Sequence, residues 1–204
     1  SPRKRAGGHA RKIAVSNGCG EIYRRVVWNN KGKKSVVWRC CTRMENGPGA
    51  CNADAIHESE LQNLTVRAIN MTLAKKDVMN ETLQKNVEAV LTGADGVPLS
   101  EIDSRLEELQ KELLKVANSK GNYDAIADEI YRLREVRQNA LVENAEREGM
   151  KKRISEMQQF LSEQTQEVTE YDEQLVRRLI EKITVYDEWV TVEFKSGTSV
   201  KVRR

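Results

Sequence analysis

The sequence predicts an α+β chain: a small β domain with helices and C-terminal strands, interrupted by a protruding antiparallel helical hairpin that forms a short coiled coil. Three observations carry this. Runs of β-branched and aromatic residues lie near both ends of the 204 residues. Between them, Leu and Ile recur at alternating steps of three and four. Charged residues make up 32% of the chain, hydrophobic ones 39% and aromatic ones only 5%, which suits long solvated helices better than one large globule.

Taken in order, residues 1–12 are basic, contain Gly7 and Gly8, and read as an arm or the end of a linker. Glu21–Trp28 and Ser35–Arg39 read as two strands of a hairpin, with the turn-formers and cations of residues 29–34 at its tip. Trp28 and Trp38 are expected in the core of that ribbon. Residues 46–49, Asn-Gly-Pro-Gly, make a turn. A helix begins near Glu58, with Leu61, Leu64, Ala68, Ile69 and Leu73 on one face, and a second apolar set runs from Val78 to Leu91.

The most regular stretch follows. Leu99, Ile102, Leu106, Leu109, Leu113 and Val116 form an a/d seam, with Ser100 placed to cap it. Residues 118–122 turn the chain, and Tyr123, Ile126, Ile130, Leu133 and Ala140 supply the facing stripe. A connection of about five residues makes the two helices antiparallel neighbours. A third stripe, Met150–Leu161, reads as a further helix. Short strands then fall at 183–186, 189–194 and 199–202, a hairpin or three-stranded meander too small to stand alone, which must pack on the first helices or the ribbon. The expected domains are the arm (1–12), a β-ribbon region with its following helices (13–98), the coiled-coil insertion (99–160), and a helix with terminal strands that completes the ribbon domain (161–204).

Net charge is +3, but its distribution is uneven. Residues 1–43 hold twelve Lys/Arg against one acid, Glu21; residues 44–176 hold 15 basic and 26 acidic residues; residues 177–204 hold seven and four. A basic head on an acidic middle suggests a polyanion-binding module joined to something that avoids polyanions. No apolar run approaches the roughly 18 residues of a membrane span, and no signal peptide is visible. The first residue is Ser1 rather than Met, as in a fragment of a longer protein.

All four cysteines, Cys19, Cys40, Cys41 and Cys51, fall in the first quarter. Their clustering in a basic segment reads as a metal site in a reducing, cytoplasmic compartment rather than a disulfide scaffold. Cys19-Gly20 looks like the second half of a Cys-x-x-Cys knuckle, but the first half falls on Ser16. Cys40 (or Cys41) closes the second strand, and Cys51 follows the Gly-Pro-Gly turn. Zinc is the expected ion, held by Cys19, Cys40 and Cys51 with Ser16 in place of the expected fourth ligand. Three readings stay open: a three-cysteine site completed by another ligand or water, a degenerate ribbon without metal, and ordinary reduced cysteines. His57 and His9 are alternative fourth donors, and Cys41 is the expected bystander.

At these residues the chain resembles the C-terminal region of large serine recombinases of bacterial mobile elements. The likeness rests on Cys19-Gly-Glu-Ile-Tyr-Arg-Arg25, Val36-Val-Trp-Arg-Cys40, Gly47-Pro-Gly-Ala-Cys51, residues 122–134 and the tail segments 179–185 and 192–197. It implies a zinc β-ribbon that binds attachment-site DNA and an inserted coiled coil that mediates contacts between recombinase subunits. Nothing here resembles that family's catalytic domain, so the chain is expected to have no recombinase chemistry of its own.

Read from the residues alone, double-stranded DNA is the expected partner of the basic hairpin, because clustered cations attract phosphates and a two-stranded ribbon fits the major groove. The expected DNA contacts are Arg24, Arg25, Lys31, Lys33, Lys34 and Arg39. Tyr123, Ile126 and Tyr131 are the expected protein-interaction residues on the helical hairpin. There are only two histidines and no Gly-rich phosphate loop, so neither an enzyme nor a small-molecule substrate is expected. The alternative is a coiled-coil interaction module whose degenerate ribbon binds little DNA.

Overall fold

The structure, a computed structural model, describes residues 13–30, 32–92, 98–118 and 123–204. Two compact units result: Ser1–Asn86 with Arg153–Arg204, and Val87–Lys152. The second unit therefore interrupts the first in sequence. The basic arm lies outside the described residues.

In the first unit, β1 (Ala14–Ser16) leads through a tight turn into the hairpin of β2 (Tyr23–Asn30) and β3 (Lys33–Cys40). The ladder pairs Tyr23 with Cys40 at its base and Asn30 with Lys33 at its tip. Both strands run further toward the tip than the sequence suggests, because Gly32 takes φ 83° and closes the connection between them. Cys41–Asn46 then forms α1, an element the sequence did not announce. After the turn at Gly47, β4 (Ile56–His57) joins the edge of β3 and leads directly into α2 (Glu58–Ala74). His57 is the residue before that helix and donates no side-chain cap.

The face of α2 expected to be apolar is buried: Leu61, Leu64, Ala68, Ile69 and Leu73, together with Thr65 and Thr72. The two threonines satisfy their hydroxyls on the carbonyls of Leu61 and Ala68, one turn back. α3 (Lys76–Thr92) follows after a break at Lys75. The C-terminal strands are β5 (Ile180–Val185), β6 (Trp189–Phe194) and β7 (Ser199–Arg203), preceded by α6 (Glu173–Leu179). They form the expected meander, with β1 added in parallel to β5, so the sheet order is β1-β5-β6-β7. Val190, Val192 and Phe194 alternate into the core, and Val202 joins them. Arg67 of α2 donates to the carbonyl of Arg203 at 2.9 Å, and Arg204 pairs with Glu60 at 2.7 Å, so the meander is tied to α2.

The second unit contains α4 (Leu99–Asn118) and the first part of α5 (Asp124–Glu163). Ile102, Leu106, Leu109 and Ile130 make its core, with Leu113, Ile126 and Leu133 packed against them. Asp103 pairs with Arg137 at 2.6 Å across the two helices, which fixes an antiparallel register. Ser100 lies inside the helix rather than capping it, since the first turn starts at Leu99 with Pro98 accepting from Glu101.

The stripes at 123–140 and 150–161 belong to one 40-residue helix, α5, not two. Gly149 is the only breaker there and costs roughly 1 kcal/mol, too little against the surrounding run of good helix formers. The last turns of α5 bury Ile154, Met157, Phe160 and Leu161. Among the described residues no helix is long and apolar enough to cross a membrane.

Candidate metal centre and basic ribbon

Three separate loops bring the sulfurs together. The turn after β1 is closed by Gly20 N–H donating to Ser16 O at 2.9 Å, and by Ser16 N–H donating to Glu21 O at 2.8 Å. Gly20 sits at φ 72°, where a Cβ is disfavoured, and this turn sets Cys19 facing the base of the ribbon. Cys40 ends β3. Cys51 follows the turn that begins at Gly47 (φ 83°). Arg43 of α1 holds that loop by donating to the carbonyls of Asn52 and Ala53. It therefore serves the site's scaffold.

The Sγ atoms of Cys19, Cys40 and Cys51 all lie within 4.8 Å of one another. Cys19 and Cys40 approach to 3.3 Å. Around tetrahedral zinc, sulfurs at about 2.3 Å would stand roughly 3.8 Å apart, so the cluster has the right size. Cys40 and Cys51 are buried, and Cys19 is partly exposed. Burial pushes the Cys19 thiol up, but hydrogen bonds involving Thr42, the Glu21 backbone, Cys40 and Ser16 outweigh it and bring it down to about 6. Burial pushes the Cys40 and Cys41 thiols up. These donors fit zinc: three soft ligands, shielded from bulk water, on rigid turns. The fourth corner is short of a cysteine. Cys41 lies outside the cluster, beside Arg24. His57 is also outside it, and His9 falls outside the described residues.

Above the cluster, strand alternation divides the cations. Arg24, Val26 and Trp28 of β2 share a face with Lys33, Ser35, Val37 and Arg39 of β3; Tyr23, Arg25 and Val27 share the opposite one with Lys34, Val36, Trp38 and Cys40. On the first face, the Arg39 guanidinium stands 5.6 Å over the Trp28 ring. Trp28 is 42% exposed, not core as its type suggests, because it sits toward the tip of the ribbon. Arg24 comes within 3.8 Å of Glu45 on α1. On the second face, Arg25 makes two bonds to Glu58, 2.6 and 2.9 Å. Lys33 and Lys34 are exposed. Lys31 falls outside the described residues. Tyr23 is fully buried at the ribbon's base and donates to Asp54 O at 3.0 Å; burial pushes its phenol up.

On the helical hairpin, Tyr123 and Tyr131 are exposed, at 51% and 69%, while Ile126 packs against the hairpin's own core.

The residues that sequence reasoning missed are those that tie the site down. The pairing of β1 with β5 and the carbonyl clamp of Arg43 depend on contacts far apart in the chain, and no local pattern announces them. The Arg25–Glu58 pair was also invisible, since an arginine in a basic run reads first as a ligand-facing cation.

The recombinase zinc beta ribbon domain family matches residues 14–70. A solved structure described as a crystal structure of an LSR–DNA complex is 17% identical, with a TM-score of 0.45; the match covers 96% of this chain and 59% of that one. This chain therefore spans less than two thirds of the length of that protein. No curated protein matches significantly. The three-sulfur cluster and the hairpin that carries it both lie within the residues that match the recombinase zinc beta ribbon domain family.

Proposed function

We propose that the chain is the DNA-binding and subunit-interaction C-terminal region of a serine site-specific recombinase, that it recognises attachment-site DNA through the basic ribbon, and that it holds no catalytic centre of its own. The observation that carries this reading is the placement of Arg24, Lys33 and Arg39 along one face of a two-stranded ribbon whose base belongs to a recombinase domain family. A ribbon of this kind fits the major groove, where arginines take base edges or phosphates and lysines mostly phosphates. Trp28, held under Arg39, stiffens the same face. Lys34 would reach the flanking backbone. Arg25, on the opposite face, keeps its bond to Glu58 and would orient the ribbon rather than enter the groove.

Zinc, when bound, supplies a cross-link rather than a reaction: it joins the turn at 16–20, the end of β3 and the loop before β4. The chain's own groups then orient the ribbon. Arg43 fixes the loop of Cys51, Tyr23 anchors the strand base, and Glu58 sets Arg25. The helical hairpin supplies the contact to other recombinase subunits, with Tyr123 and Tyr131 as its exposed aromatic groups and Ile126 supporting them from within. The setting is the cytoplasm, and neither a membrane nor a small-molecule substrate takes part.

The test is titration of labelled duplex DNA at two salt concentrations. Each phosphate contact contributes about 0.9 to the slope of log K against log salt. Arg24→Ala and Arg39→Ala should each weaken binding and flatten that slope by about one contact. Absence of salt-sensitive binding at low ionic strength, with the ribbon folded, would overturn the reading. Self-association that survives charge reversal at Lys33 and Lys34 would instead favour a pure protein-interaction module.

A further inference from the structure

From the position of its side chain, we infer that the Ser16 hydroxyl is the fourth donor of the metal centre, so that the ion is held by three thiolates and one weak, exchangeable oxygen. This rests on the zinc reading of Cys19, Cys40 and Cys51. Four observations support it. Ser16 sits where a Cys-x-x-Cys knuckle would begin, and the knuckle itself is built: Gly20 N–H closes the turn on Ser16 O. The side chain is 1% exposed, an unusual place for a serine hydroxyl that meets a sulfur and one amide. Its Oγ lies 3.7 Å from Cys51 Sγ. Gly18 N–H donates to the same oxygen at 3.2 Å, which steadies it and leaves lone-pair density for a cation.

The chemistry of such a centre differs from that of a four-cysteine ribbon. A neutral hydroxyl is a poorer donor than a thiolate. With three thiolates the zinc site carries one net negative charge rather than two. The fourth bond is then the one that opens first, and metal exchange runs through position 16.

The test compares the full chain with Ser16→Cys and Ser16→Ala. Zinc affinity is read by competition with a chromogenic chelator, and coordination by the visible spectrum of the cobalt-substituted protein. Losing a partner outside the coordination sphere costs about 10–100-fold in metal affinity, so changing a ligand itself should reach at least that. Ser16→Cys should bind zinc at least about 100-fold tighter, with a stronger sulfur-to-cobalt charge-transfer band. Ser16→Ala should bind about 10-fold more weakly, with altered ligand-field bands.

Circular dichroism of the metal-free forms checks that each variant folds. Affinity and cobalt spectrum unchanged in Ser16→Ala would overturn the assignment, as would unchanged affinity in Ser16→Cys. Should neither the parent chain nor Ser16→Cys take up cobalt, the zinc reading itself fails, and the assignment of Ser16 fails with it.

Discussion

The guanidinium of Arg25 grips the carboxylate of Glu58 from two nitrogens, joining the middle of the ribbon to the first turn of α2. Glu58 is largely sheltered, and its bond to Arg25 holds its carboxyl below the ordinary 4.5. A carboxylate depressed in the folded state stabilises it above the unfolded value, and that stability is lost as the pH falls through the folded value. The Glu58→Gln variant should therefore be less stable by about 0.5–1 kcal/mol at pH 7. The gap should narrow as the pH falls below the ordinary 4.5 and through the depressed folded value. Urea midpoints measured from pH 7 to 3 check this; a constant gap would show that the contact works through packing instead.

Metal should protect the cysteines selectively. In zinc-loaded protein, alkylation of Cys19, Cys40 and Cys51 should slow sharply relative to the chelator-treated chain. Cys41, 5% exposed and outside the cluster, should react slowly in both. Peptide mapping by mass spectrometry separates the four; protection of Cys41 as strong as that of Cys51 would place it in the centre.

The two units offer different probes. Met157 and Ile130 are both buried, one in each unit. Truncation of either to alanine should cost about 2–5 kcal/mol locally. All three tryptophans belong to the first unit. Met157→Ala should shift the tryptophan-fluorescence midpoint, whereas Ile130→Ala should lower the helical dichroism midpoint with little change in fluorescence. Equal shifts by both probes in both variants would mean that the units unfold together.

At the start of α6, Asp172 accepts from the amides of Gln174 and Leu175 at 2.7 and 3.2 Å. Asp172→Ala should destabilise the first unit by about 1 kcal/mol, and Asp172→Ser should restore most of it. Thermal melts decide this; an unchanged melt for the alanine variant would mean that solvent satisfies those amides equally well.

How much of this was legible in the sequence depends on the range of the interaction. The α4 seam and the alternation of Val190, Val192 and Phe194 are written in local periodicity, and the structure follows them. So are Cys19, Cys40 and Cys51, whose turns carry their own glycines. Arg24, Lys33 and Arg39 could be picked as cations, but their sharing one face with Trp28 depends on the register of β2 against β3. The stripes at 123–140 and 150–161 read as separate helices, yet the single glycine between them, Gly149, is outvoted by the helix formers around it. Arg43 counts among the cations of the basic head, but α1 sets it to hold two carbonyls.

The parallel pairing of β1 with β5 has a consequence for synthesis. Val185 O receives the amide of Asn17, the residue next to Ser16, so one wall of the knuckle comes from the far end of the chain. During translation the hairpin emerges well before β5, the strand that supports its knuckle. The helices between them must form while the cysteine turn still lacks that support. Such long-range closure slows folding and leaves unpaired strand edges exposed in the meantime. The nascent ribbon therefore lacks part of its cysteine turn's support until β5 has emerged.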